Sequence, residues 1–137
     1  MKKKVGLMQR NNVKLISMDT IPIEKVKWLL YPFIPLGKIT ILQGDPGEGK
    51  TTLALQIIAA LTTGKPVWEG APPMEPVNVI YQTAEDGLSD TIKPRLVAAG
   101  ADCARVMVID DFDRVLTLDD DRLEQAIEQT GARLVVL

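Results

Sequence analysis

Residues 44–52 carry the strongest chemical signal in this chain of 137 residues. They follow the pattern G-x-x-x-x-G-K-[ST], in which successive backbone N–H groups bind the oxygens of a phosphate chain. Lys50 is expected to reach the β- and γ-phosphates, and the Thr51 hydroxyl is expected to hold Mg²⁺. The sequence thus predicts a site for ATP and Mg²⁺. Its candidate residues are Gly44, Asp45, Pro46, Gly47, Glu48, Gly49, Lys50, Thr51 and Thr52.

The residues on either side of this glycine-rich loop (residues 44–52) predict the elements that would position it. Residues 37–43 contain several β-branched side chains and predict a strand. Residues 53–61 are apolar on nearly all sides and predict a buried helix that ends at Gly64. Strand, glycine-rich turn and helix, in that order, form the context that the pattern requires.

Strands and helices continue to alternate along the rest of the chain. Further strands are predicted at 77–82, 105–109 and 132–137. One helix is predicted at 88–99, with a fresh start at Pro94. Another begins at Asp120 or Asp121, with Glu124 placed to complete a capping box. The alternation predicts an α/β fold, a parallel sheet with flanking helices.

Charge is unevenly distributed, although the net charge is only −2. Residues 1–38 carry eight Lys/Arg against two Asp/Glu, a balance of +6, whereas residues 39–137 have a balance of −8. Residues 1–24 are therefore predicted to form a basic N-terminal arm. This arm either contacts nucleic acid or is a solvated tail.

Composition excludes several kinds of chemistry. The chain has no histidine, which excludes histidine-based acid–base catalysis and zinc binding. Cys103 is the single cysteine, so no internal disulfide can form and a cytoplasmic location is expected. No apolar run approaches the ~20 residues needed to cross a bilayer, so no membrane partner is expected. The aspartates between 110 and 121 lack the spacing of a Ca²⁺ loop.

The turn after the second predicted strand carries a family resemblance. Residues 82–88 (QTAEDGL), together with residues 35–44 and the glycine-rich loop, resemble the RecA-type ATPases. The match is closest to the branch of RepA-like hexameric helicases and related AAA ATPases of plasmids and phages. The resemblance runs from about Ile21 onward. It implies that residues 25–137 are the N-terminal part of a RecA-like ATPase domain, and that Glu85 activates the attacking water.

The acid that would hold Mg²⁺ is less easily placed. Asp110 and Asp111 follow an apolar strand, as a Walker B aspartate does, but the family order makes this strand three. The resemblance implies that the Walker B strand is 134–137 and that its aspartate would follow Leu137. We therefore expect a partial P-loop core that binds nucleotide with little hydrolysis. The family's strand order, with strand four between strands one and three, would leave strand one as an exposed edge that favours dimerisation or aggregation.

The leading functional hypothesis is an ATP-hydrolysing module, helicase-like, that acts in DNA replication, recombination or repair. The resemblance implies a homo-oligomeric ring or filament, with DNA as a partner of the full-length protein. Two alternatives remain open. One is a P-loop kinase for a small molecule, although no cluster of arginines follows residue 100 to form a lid. The other is a regulator that binds ATP or ADP without turnover.

Overall fold

The computed structural model describes residues 13–84 and 86–137. The chain divides into a smaller unit that ends at Thr40 and a larger unit, Ile41–Leu137. In the smaller unit, β1 (Trp28–Leu30) pairs antiparallel with β2 (Ile34–Pro35). Among the described residues of this unit, Leu29 and Leu30 are buried. Across the described residues, no helix is long and apolar enough to span a bilayer.

A parallel sheet of three strands organises the larger unit. β3 (Val79–Tyr81) lies in the centre, and β4 (Val106–Met107) and β5 (Leu134–Val136) pair with it in parallel on either side. Helices α1 (Lys50–Thr63), α2 (Lys93–Ala98) and α3 (Asp121–Thr130) flank the sheet. The predicted α/β fold is thus confirmed.

The core forms where α1 and α2 pack on one face of the central strand. Val79 and Tyr81 point to the same face, since side chains alternate along a strand. They contact a set of apolar side chains from the helical segments: Leu55, Ile58, Ile92 and Leu96. This contact anchors α1, and the helix in turn places the loop that precedes it.

The predicted strand at 37–43 is not formed. Residues 39–43 have no regular secondary structure, and Ile39 and Ile41 are 86% and 82% exposed. A strand is stable only when a neighbour pairs with its backbone groups, and the described residues offer this segment no such partner. A high content of β-branched residues was therefore insufficient to form the strand.

The predicted strand order is also wrong. Strand four was expected beside strands one and three, but β5 pairs with β3, the second predicted strand. Backbone bonds to the β5 segment at both ends of β3 set this register: Gln82 N–H donates to Val136 O at 2.8 Å, and Arg133 N–H donates to Asn78 O at 2.9 Å. The Asn78 side chain reinforces it by donating to Thr130 O at 2.7 Å.

The remaining helices begin close to the predicted positions. A π-helical turn, Leu88–Ile92, precedes α2, and Pro94 lies in the first turn of α2, where a missing N–H is tolerated. Asp120 caps α3 by accepting the Arg122 N–H at 3.0 Å. The predicted capping box is not formed, because Glu124 lies one residue too far from this cap and the Asp120 N–H donates to Thr117 O instead.

Asp120 also closes the acidic loop before α3. Its carboxylate is only 7% exposed and accepts from Arg122 Nη2 at 2.8 Å and from Arg114 Nη2 at 3.2 Å. Arg122 donates in turn to the backbone oxygens of Arg114 at 2.8 Å and Asp110 at 3.3 Å. The hydrogen bonds from the side chain and backbone of Arg122 hold the pKa of Asp120 well below its usual range.

Replacing Asp120 with asparagine keeps a capping oxygen but removes the charge, so we expect a lower melting temperature near pH 7. A carboxylate with a depressed folded-state pKa contributes fully above its unfolded pKa of about 3.9. The contribution declines as pH falls below that value. The difference between wild type and Asp120→Asn should therefore narrow steadily as the pH falls from about 4 to about 2 in thermal scans followed by circular dichroism. Glu128→Gln, an exposed change on the same helix, is the control. A difference that is constant with pH would refute the electrostatic explanation.

Candidate functional site

The glycine-rich loop leads directly into α1. The first helical bond joins Leu53 N–H to Gly49 O at 2.9 Å, so Gly49 is the residue from which the helix starts. Gly47 and Gly49 have φ of +84° and +86°, a left-handed conformation that glycine adopts without steric cost. The N–H groups in the first turn of a helix have no intrahelical partner and attract anions. Glycine at position 49 of the pattern, and at the variable position 47, therefore has a direct conformational reason.

Two side chains of the loop bind the loop's own backbone. Lys50 Nζ donates to Gly44 O and to Asp45 O, each at 2.7 Å. Glu48 Oε2 accepts the Asp45 N–H at 2.7 Å. A Cβ atom added to Gly44 would lie 2.6 Å from the same Glu48 oxygen, so a larger residue there would require this exposed carboxylate to rotate away. The structure thus brings Glu48 and Lys50 into contact with Gly44 and Asp45 at the start of the predicted phosphate site.

The other loop residues are accessible from solvent. Residues 44–49 are exposed, whereas Lys50 and Thr51 are half-buried and Thr52 is exposed in the first turn of α1. The loop therefore presents backbone N–H groups, one ammonium group and two hydroxyls. This set of donors suits a polyphosphate, and the Thr51 hydroxyl suits a hard cation such as Mg²⁺.

The carboxyl ends of the three parallel strands are tied together by Gln82. Its Nε2 donates to Ile109 O at 3.0 Å, and its Oε1 accepts the Ile109 N–H at 3.1 Å. The Gln82 N–H binds Val136 on the other side. Gln82 was part of the resembling stretch, but this bridging role was not predicted. A polar residue at the end of an apolar strand was the only local signal.

The turn that follows Gln82 contains the predicted catalytic acid. Glu85 itself lies outside the described residues, so its predicted role stays a prediction. Next to it, the Asp86 N–H donates to Thr83 Oγ1 at 3.3 Å. Burial, and then the negative charge of Asp86, raise the pKa of Tyr81 at the end of β3. The Tyr81 hydroxyl therefore remains neutral at physiological pH.

Asp110, the apparent Walker B candidate, is engaged in its own turn. Its Oδ1 accepts the Phe112 N–H at 3.1 Å, and its backbone oxygen accepts from Arg122. Within the two described ranges, no group of three or more Cys, Asp or Glu side chains is arranged to hold a metal ion. Thr51, the predicted Mg²⁺ contact, is half-buried in the first turn of α1, directly after Lys50 in the sequence.

Comparison with known proteins gives a family and a distant relative. A family model described as "AAA domain" matches residues 7–137. The NFX1-type zinc finger-containing protein 1 of Mus musculus is 31% identical over 67 residues, which are 49% of this chain. The matched region is only 4% of the length of that relative. No solved structure matches the chain significantly.

Proposed function

Since the chain belongs to the AAA domain family of P-loop ATPases, we propose that residues 44–52 bind ATP or ADP and that the full-length protein hydrolyses ATP. The observation that most supports this is the geometry of the loop. Two left-handed glycines lead into α1, and the Lys50 ammonium lies 2.7 Å from two loop carbonyls. This arrangement concentrates phosphate-binding donors at one helix start.

Each loop residue has a distinct part in the proposed site. The backbone N–H groups of the glycine-rich loop, including that of Asp45, surround the phosphates, and Lys50 turns from its loop carbonyls to the β- and γ-phosphate oxygens. Thr51 would supply a hydroxyl to Mg²⁺, and the bound cation would neutralise charge on the phosphates. The chain thus provides positioning and electrostatic stabilisation, the main requirements of phosphoryl transfer.

We assign activation of the attacking water to Glu85. In the sequence it comes four residues after β3, the central strand, and ligands of open α/β sheets bind beyond the carboxyl ends of the strands. The bonds of Gln82 to Ile109 and Val136 hold the carboxyl ends of the three strands together. Glu85 is thereby the proposed general base.

We further propose that the protein belongs to the RepA-like branch and acts on DNA as a cytoplasmic homo-oligomer. The support is the resemblance of residues 35–52 and 82–88, and the positive balance of residues 1–38. The exposed Ile39 and Ile41 offer an apolar segment for contact with another subunit. The small-molecule kinase remains an alternative that no described contact favours.

The test compares ATP, ADP and adenosine by isothermal titration calorimetry, with and without Mg²⁺. Because the proposed contacts are to phosphate, adenosine should bind at least roughly a hundredfold more weakly than ATP, the loss of two or more charge-assisted contacts. Phosphate release is then measured for the full-length protein and for its Glu85→Gln variant. Loss of a general base should lower turnover by about 10²–10⁴-fold while leaving ATP binding intact.

Glu75→Gln, an exposed change in the proline-rich loop, is the matched control. Equal binding of adenosine and ATP would contradict the phosphate site. Turnover that is insensitive to Glu85→Gln would remove Glu85 from the proposed role. Phosphate transferred to an organic hydroxyl instead of water would favour the kinase.

A further inference from the structure

We propose that the Glu48 carboxylate is an internal competitor of phosphate in the glycine-rich loop, and that this residue sets the affinity and charge preference of the nucleotide site. The inference rests on the proposed function of the same loop. It concerns a residue at a variable position of the pattern, which by itself leaves the side chain unspecified.

The competing contact is a hydrogen bond inside the loop. Glu48 Oε2 lies 2.7 Å from the Asp45 nitrogen, one of the backbone donors of the loop. A carboxylate oxygen and a phosphate oxygen make the same demand on such a donor, because both are anionic acceptors of an N–H. The same Glu48 oxygen lies directly over Gly44, where an added Cβ would be 2.6 Å away. Glu48 therefore occupies loop surface that the motif offers to a phosphate.

Lys50 is engaged in the same state of the loop. Its ammonium donates to the carbonyl oxygens of Gly44 and Asp45, on the residues that Glu48 also covers. An arriving polyphosphate must therefore displace three contacts, one with the carboxylate and two with the ammonium. The lost contacts of Lys50 are replaced by a new ion pair between its ammonium and a phosphate. The lost contact of Glu48 is not replaced, because the carboxylate and the ligand are both negatively charged.

Glu48 is exposed, so it can rotate into solvent when the ligand enters. Its charge stays near the phosphates, and the repulsion is partly screened by salt. We therefore expect a moderate effect, which grows with the negative charge of the ligand. Glu48 should weaken the binding of metal-free ATP more than that of ATP bound to Mg²⁺, and it should leave the binding of adenosine unchanged. Glu48 thereby favours nucleotide that arrives with its charge neutralised by a cation.

The experiment measures binding of inorganic tripolyphosphate and ATP to the 137-residue chain by calorimetry, in low and high salt. Glu48→Gln keeps an oxygen that can accept the Asp45 N–H but removes the charge, and Glu48→Ala removes both. Metal-free ATP and tripolyphosphate should bind about fivefold to tenfold more tightly to Glu48→Gln, and the gain should shrink in high salt. Glu69→Gln, an exposed glutamate outside the loop, should bind like wild type.

The outcomes separate this inference from the function on which it rests. If wild type binds in a Lys50-dependent way but neither Glu48 variant gains affinity, the inference is overturned and the nucleotide site stands. If only Glu48→Ala binds the ligands more tightly than wild type, competition between Glu48 and phosphate is supported. It is then assigned to the hydrogen bond with the Asp45 N–H instead of the charge. If neither wild type nor the Glu48 variants bind tripolyphosphate or ATP, the inference and the proposed function both fail. Matching thermal melts exclude misfolding of the variants.

Discussion

Replacing Lys50 with alanine is expected to weaken ATP binding by roughly tenfold to a hundredfold. A hydrogen bond to a charged group contributes about 1.5–3 kcal/mol, and each 1.4 kcal/mol corresponds to about a tenfold change in affinity. In the structure the ammonium is poised at the mouth of the loop by Gly44 and Asp45, and short movements would bring it to a phosphate. The substitution should weaken the binding of ADP less than that of ATP, because ADP has no γ-phosphate for Lys50 to contact.

Lys65→Ala provides the matched control, since it removes an exposed lysine just beyond the far end of α1. Both variants should melt like wild type, because neither side chain belongs to the apolar core. Lys50→Arg should recover little affinity, since a planar guanidinium does not replace a compact ammonium in a tight phosphate site. Unchanged ATP affinity in Lys50→Ala would place the nucleotide elsewhere on the protein.

Replacing Ile80 with alanine is expected to lower the free energy of unfolding by about 2–5 kcal/mol, the usual cost of truncating a large side chain in a core. Ile80 is fully buried in the central strand, with paired strands on both sides. The same substitution at Ile41, which is 82% exposed, should change stability by less than about 0.5 kcal/mol.

Urea denaturation followed by far-ultraviolet circular dichroism measures the free energy of unfolding of wild type, Ile80→Ala and Ile41→Ala in one series. The comparison is informative because the sequence predicts a strand around each isoleucine, and the side chains are chemically identical. If Ile41→Ala lowered the free energy of unfolding as much as Ile80→Ala does, residues 39–43 would pack as a core strand in solution. A negligible loss at Ile80 would contradict the central position of β3.

Elements with strong local signals were predicted well. α1 begins at Lys50 and is followed by Gly64 at φ +72°, and α3 is capped by Asp120 and followed by Gly131 at φ +63°. Caps and glycine-terminated helix ends depend on interactions between neighbouring residues. The strand at 37–43 and the order of the strands depend on distant partners, and both predictions were wrong.

The same distinction between local and distant interactions applies to the candidate site. The glycine-rich loop could be predicted from adjacent residues, because glycine at positions 47 and 49 permits the left-handed backbone and the following apolar residues make a helix. The folded structure was needed to show that Gln82 joins the ends of three strands and that Glu48 lies against Gly44 and Asp45. Backbone conformation follows from the types of adjacent residues. The direction of a polar side chain is decided by whichever donor the fold brings within reach, and that information is not local.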